Sequence, residues 1–164
     1  MKLQRWTLRN LALAAGTASA LMFFSAPGHA QSGPFAGFAG SWAGHGTVSL
    51  SDGSKERIRC RAVYTVVGSG LAQTLKCASD SYRIDLSSNV TSQGGADVVG
   101  TWSESSRNIN GNLQGRAGGG QIEAFIEAAG FAASLNLTTR GNKQSVKISS
   151  KGDIRDVSIS MIKG

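Results

Sequence analysis

Residues 55–80 read KERIRCRAVYTVVGSGLAQTLKCASD, and the stretch specifies a hairpin residue by residue. Lys55 to Val66 and Leu71 to Ser79 are rich in β-branched residues and alternate apolar with polar side chains, the period of a half-buried strand. Val67-Gly68-Ser69-Gly70 joins them. With Gly68 and Ser69 as the two turn residues, Gly68 takes the positive φ of a type II′ turn. Register then follows by counting: Val66 opposes Leu71, Tyr64 opposes Gln73, Ala62 opposes Leu75 and Cys60 opposes Cys77. The cysteines fall in the non-hydrogen-bonded class of antiparallel pair, where Cα atoms lie roughly 4.5 Å apart, within disulfide reach. One bridge, Cys60 to Cys77, therefore fixes one register.

The rest of the chain repeats this pattern in short runs closed by Gly, Asn, Asp or Ser. One face carries Trp42, Val48 and Leu50, then Ile58, Cys60, Ala62 and Tyr64, then Leu71, Leu75 and Cys77. It continues through Tyr82, Ile84, Leu86, Val90, Val98, Trp102, Ile109 and Leu113. Ile122, Ile126, Phe131, Leu135, Leu137, Val146, Ile148, Val157, Ile159 and Met161 complete it. The alternation predicts an antiparallel meander of about ten strands with one apolar face, and a meander that large manages its edges by closing into an up-and-down β-barrel. A two-sheet β-sandwich is the alternative. Small residues on the inward phase, among them Gly44, Gly46, Gly100, Gly111, Gly115, Ala124 and Ala133, admit two readings: tight coiling of the strands, or volume left to a ligand.

The N-terminus reads as a separate unit. Lys2, Arg5 and Arg9 precede an apolar run from Leu11 to Phe24, and Gly28-His29-Ala30 supplies small residues for cleavage. This predicts a secretory signal peptide over residues 1–30, a linker over 31–37 and a single domain over 38–164. Three of the 17 basic residues lie in that leader, leaving 14 against 10 acids, so the mature chain is far less basic than the formal +7 of the whole. Export, periplasmic or secreted, suits a lone even pair of cysteines.

Gly40-Ser41-Trp42 resembles the Gly-x-Trp that opens the barrels of the calycins, namely lipocalins, avidins and the haem-binding nitrobindins, and Gly100-Thr101-Trp102 repeats it. The resemblance implies that Gly40, Trp42, Gly100 and Trp102 are barrel-end structural residues and that the other end admits a small, usually apolar ligand. No histidine follows His45, so the nitrobindins' late haem-ligating histidine has no counterpart, and no cofactor is expected. The chain also looks like small secreted bacterial proteins of unassigned function, through Ser41-Trp42-Ala43-Gly44, Arg59-Cys60-Arg61, Lys76-Cys77-Ala78-Ser79 and Gly100-Thr101-Trp102-Ser103-Glu104.

His45 falls on the outward phase with no nucleophile beside it, so no triad is implied. Cys60, Cys77 and His45 match no compact metal motif, and the disulfide accounts for both sulfurs. Of Asp80, Asp85, Glu104, Glu123 and Glu127, only Glu104 shares an inward phase, with Trp102, at a strand end. The expectation is a protein that is not an enzyme, has no metal and no catalytic residue, does not span a membrane and binds no nucleic acid. On the outer face, Arg57 is expected to pair with Asp80, while Arg59, Arg61 and Lys76, with Arg83 nearby, form an uncompensated basic patch for anionic surfaces. Two functional readings follow: a binding module for a small apolar or amphipathic ligand, or an envelope-associated protein that uses the basic face to contact anionic components and has no ligand cavity. The sequence leaves the ligand, the oligomeric state and the choice of periplasm or exterior open.

Overall fold

The computed structural model describes residues 33–164; the leader expected over residues 1–30 lies outside the described residues. Ten strands follow one another: β1 (Gly40–Leu50), β2 (Lys55–Val67), β3 (Gly70–Ala78), β4 (Arg83–Gly94), β5 (Asp97–Glu104), β6 (Ile109–Gly118), β7 (Gln121–Ala128), β8 (Phe131–Arg140), β9 (Lys143–Ser150) and β10 (Ile154–Lys163). Each pairs antiparallel with its neighbours in sequence, and β1 pairs with β10, so the sheet closes on itself. The closing seam runs from Trp42 opposite Lys163 to Leu50 opposite Ile154. It leaves no exposed edge, which is why the barrel, and not the sandwich, is the solution.

The hairpin has the counted register, with Tyr64 opposite Gln73 and Cys60 opposite Cys77. Gly68 has φ 56°, the turn geometry that glycine alone adopts without cost. The Cys60–Cys77 disulfide is formed across a Cα separation of 4.1 Å. Along β2, Ile58, Cys60, Ala62 and Tyr64 are buried, while Arg57, Arg59, Arg61 and Val63 face solvent. Pairing of β2 with β3 stops at Ala78. There Ser79 accepts hydrogen bonds from the Tyr82 and Ser81 amides at 2.8 and 3.2 Å and donates one to Glu56 at 2.6 Å, turning the chain away. Two expectations fail for that reason: Asp80 makes no ion pair with Arg57 among the described residues, and Tyr82 is exposed rather than inward.

Stagger tilts the strands. The ladder that begins at Gly40 passes through Tyr64, Gln73, Ser88, Trp102, Gly111 and Ala128 to Phe131, from the first residue of β1 to the first of β8. Those two residues sit at opposite ends of the barrel. The start of β1 lies with the turns at 68–69, 95–96, 119–120 and 141–142; the loops at 51–54, 79–82, 105–108, 129–130 and 151–153 form the other end.

The first end is plugged from inside. Phe35 and Phe38, 1% and 0% exposed, fill it beside Trp42, whose indole N–H donates to the Phe38 carbonyl at 2.9 Å. Phe38 also packs against Tyr64, ring centroids 6.3 Å apart, and Lys163 caps the Trp42 ring from outside at 5.3 Å. Within the segment expected as a linker over residues 31–37, Phe35 packs as core. Its Gly/Ala-rich surroundings disguise two anchors spaced for one turn, closed by the Phe38 amide on the Phe35 carbonyl.

The inward glycines are occupied by neighbouring backbone. A Cβ on Gly111 would stand 2.1 Å from the Glu127 carbonyl oxygen and 2.6 Å from the Trp102 ring; the indole lies over its cross-strand partner. Close strand approach, not ligand volume, explains these positions.

Candidate functional site

At the unplugged end the inward side chains are not fully covered. Ile84, Leu86, Ile109, Phe131, Leu135, Ile148 and Ile154 are only partly buried, although each points into the barrel. They surround a cavity of about 220 Å³ that continues inward past Leu75, Trp102, Leu113, Ile126, Leu137 and Val146. Trp102 and Phe131 meet edge to face in its wall, centroids 6.0 Å apart, and the Trp102 indole donates to the Asn112 carbonyl at 3.2 Å. Trp102 was expected, with Gly100, to close a barrel end. It instead lines this cavity, and Gly100 sits mid-strand between Val90 and Leu113.

The cavity's inner limit is polar. Ser88 donates to Gln73 at 3.0 Å, the Gln73 amide to the Tyr64 hydroxyl at 3.3 Å, Tyr64 to Gln144 at 3.0 Å, and the Gln144 amide to Thr139 at 3.1 Å. These five residues come from β4, β3, β2, β9 and β8 and bridge the barrel interior. No buried side-chain nitrogen or oxygen among the described residues lacks a partner, so this inner layer is self-contained. Burial pushes the Tyr64 hydroxyl well above its ordinary pKa, which keeps it neutral and able to donate. Sequence reading missed this layer, since Gln73, Ser88, Thr139 and Gln144 look like outward polar residues until register puts them beside Tyr64.

The mouth holds the cavity's two charged residues, Glu104 and Arg107. Glu104 is 6% exposed. One carboxylate oxygen accepts from the Asp85 amide at 3.0 Å, the Ser106 amide at 3.2 Å and the Ser106 hydroxyl; the other accepts from the Arg107 amide at 2.9 Å. Burial opposes the charge, but these hydrogen bonds outweigh it and hold the carboxyl below its usual range. The 105–108 loop is thereby folded back on Glu104, helped by Asn108 at φ 53°, a conformation asparagine tolerates better than most residues. Arg107 follows, its guanidinium 3.5 Å from Glu104 and 5.8 Å from the centroid of the Tyr82 ring.

The outer basic residues are brought together. Arg59, Arg61, Lys76 and Arg83 border one shallow groove, but Asp85 lies there too and pairs with Lys76 at 3.2 Å. The patch is therefore not uncompensated: β4 supplies the acid that counting on the hairpin alone does not see. His45 is exposed between Gly44 and Gly46, opposite Arg59 and Ser160. Glu123 and Glu127 are exposed on β7.

No protein-family model matches the chain, and no curated protein matches it. Solved structures do. Rv2717c from M. tuberculosis is 15% identical, with a TM-score of 0.63 over 77% of this chain and 92% of that one. The S-type phycobiliprotein lyase CPES from Guillardia theta is 11% identical, with a TM-score of 0.52 over 77% and 88%. At these identities the likeness is one of fold. The second is by its name a lyase. A barrel of this shape thus carries an enzyme, and the expectation that this chain is not one, drawn from missing catalytic motifs, does not stand.

Proposed function

We propose that the barrel binds a small apolar or amphipathic molecule in the cavity at its unplugged end. The observation that carries this reading is the contrast in burial: inward apolar side chains other than Val66 are covered at one end, and seven are left half-covered around about 220 Å³ at the other. Leaving such surface wet in an otherwise packed barrel costs about 25 cal/mol per Å² of apolar area, and a ligand that covers it recovers that energy. By the scale on which a dry cavity of roughly 150 Å³ holds benzene, this one takes a body of about nine non-hydrogen atoms. The rival reading, an envelope-contacting barrel without a cavity, is weakened by the cavity itself and by the Lys76–Asp85 pair. Export belongs to the same proposal: the leader-like residues 1–30 and a disulfide, which persists in oxidising compartments, both favour work outside the cytoplasm.

The test uses 1-octanol as a neutral probe and the tryptophan indole N–H signals in 1H–15N NMR. Octanol should shift the Trp102 signal and leave Trp42, at the plugged end, where it is. Leu135→Trp, which fills the cavity, should abolish the Trp102 response without unfolding the protein. Shifts of both indoles alike, or undiminished binding in Leu135→Trp, would refute the cavity as the site.

A further inference from the structure

We infer that the molecule held in this cavity is an amphipathic carboxylate, inserted tail first, with its head group on Arg107. The inference rests on the cavity being a binding site and adds its chemistry. Polar groups stand at both limits of the cavity, and they differ in what they have left to offer. The inner layer of Ser88, Gln73 and Tyr64 is joined in a chain of mutual hydrogen bonds that leads on, away from the cavity, to Gln144 and Thr139. It calls for no polar ligand atom, so the apolar end of the ligand faces it.

The mouth is different. Glu104 is occupied by backbone amides, the Ser106 hydroxyl and Arg107, and its charge serves to fix the loop. Arg107 is held in place by two contacts that use little of its donor capacity: a 3.5 Å approach of one terminal nitrogen to Glu104, and the face of the Tyr82 ring. A guanidinium presents five N–H donors in a fixed fork, and no side-chain acceptor among the described residues hydrogen-bonds that fork by distance and angle. Its planar geometry matches a carboxylate better than a hydroxyl or an ammonium group. An orienting ring and carboxylate beneath a fork that remains free describe a preorganised anion anchor at the rim of an apolar cavity. The cavity's volume adds a short tail, and together these define a medium-chain or small aromatic acid.

Octanoate and 1-octanol share a tail and differ in the head, so titrating both into wild type and Arg107→Gln separates the two claims. Octanoate should bind more tightly than octanol to the wild type, both shifting the Trp102 indole signal. Arg107→Gln should weaken octanoate by about tenfold to a hundredfold, the scale of one charge-assisted hydrogen-bonded contact, and weaken octanol far less. An unmoved Trp42 signal in the variant reports that the fold is intact. If octanol binds as tightly as octanoate, or Arg107→Gln leaves octanoate affinity unchanged, the anchor is refuted while the cavity survives. If neither compound shifts Trp102, both the cavity and the anchor fall.

Discussion

The two ends of this barrel are built from the same alternation of inward and outward residues, and they come out opposite. At the Trp42 end a short segment outside the sheet, with Phe35 and Phe38, turns into the opening and is sealed by one indole hydrogen bond and one aromatic contact. At the other end the connecting loops are short or polar, the 129–130 turn being Ala129-Gly130, and among the described residues no aromatic segment covers the opening. A closed meander always has two openings to manage, and here one is managed by packing and the other by a polar rim around Glu104. The first contributes stability; the second leaves a surface that a ligand can cover.

The largest effect should therefore come from the plug. Phe38→Ala removes a fully buried ring and should cost about 3–5 kcal/mol, whereas Phe131→Ala, half-buried beside the cavity, should cost clearly less. Urea unfolding of the two variants checks this, and equal losses would erase the distinction between the ends. Next comes the bridge. Cys60 and Cys77 close a loop of sequence separation 17, for which chain entropy gives about 3 kcal/mol. The double Cys→Ser variant should lose about that much yet remain a folded barrel, because the register is also held by Ile58, Ala62, Leu71 and Leu75 on the same face. Non-reducing peptide mapping should find Cys60 joined to Cys77; free thiols would contradict it.

The wall of the barrel was legible in the sequence and the ends were not, for a physical reason. Strand alternation is a local signal repeated along each strand, so Cys60 against Cys77 and the inward placement of Ile122, Leu137 or Val157 follow from counting. What fills or caps a barrel depends on non-consecutive strands. Gln144 reaches Tyr64 across a separation of 80 residues, and nothing in Lys143-Gln144-Ser145 announces it. Lys76 meets Asp85 only once β4 is in register beside β3. Phe35 and Phe38 belong to no strand and carry no period. Glu104 was visible as an inward acid at a strand end, but its role as the hub of the 105–108 loop required the loop's backbone.

That hub gives the smallest of the expected effects and the one most specific to the open end. Glu104→Gln keeps the side chain's size but replaces an acceptor oxygen with an amide nitrogen, so one of the amides now donating to it loses its partner. Such a loss costs about 1–3 kcal/mol when the group stays dry; the nearby solvent at the mouth puts this case at the lower end. Acid should reproduce the change in the wild type. The folded-state pKa of Glu104 is depressed, so its contribution is fully present above the unfolded value of about 4.3 and is lost as pH falls through the lower folded value. Glu104→Gln should remove that part of the acid dependence. Hydrogen exchange at the Ser106 and Arg107 amides should accelerate in the variant at neutral pH, and in the wild type only below the folded pKa. Exchange at Thr139 and Gln144 in the inner layer should not follow. If those residues loosen together with the 105–108 loop, the two regions are one cooperative unit, and the separation between a packed interior and an adjustable mouth is wrong.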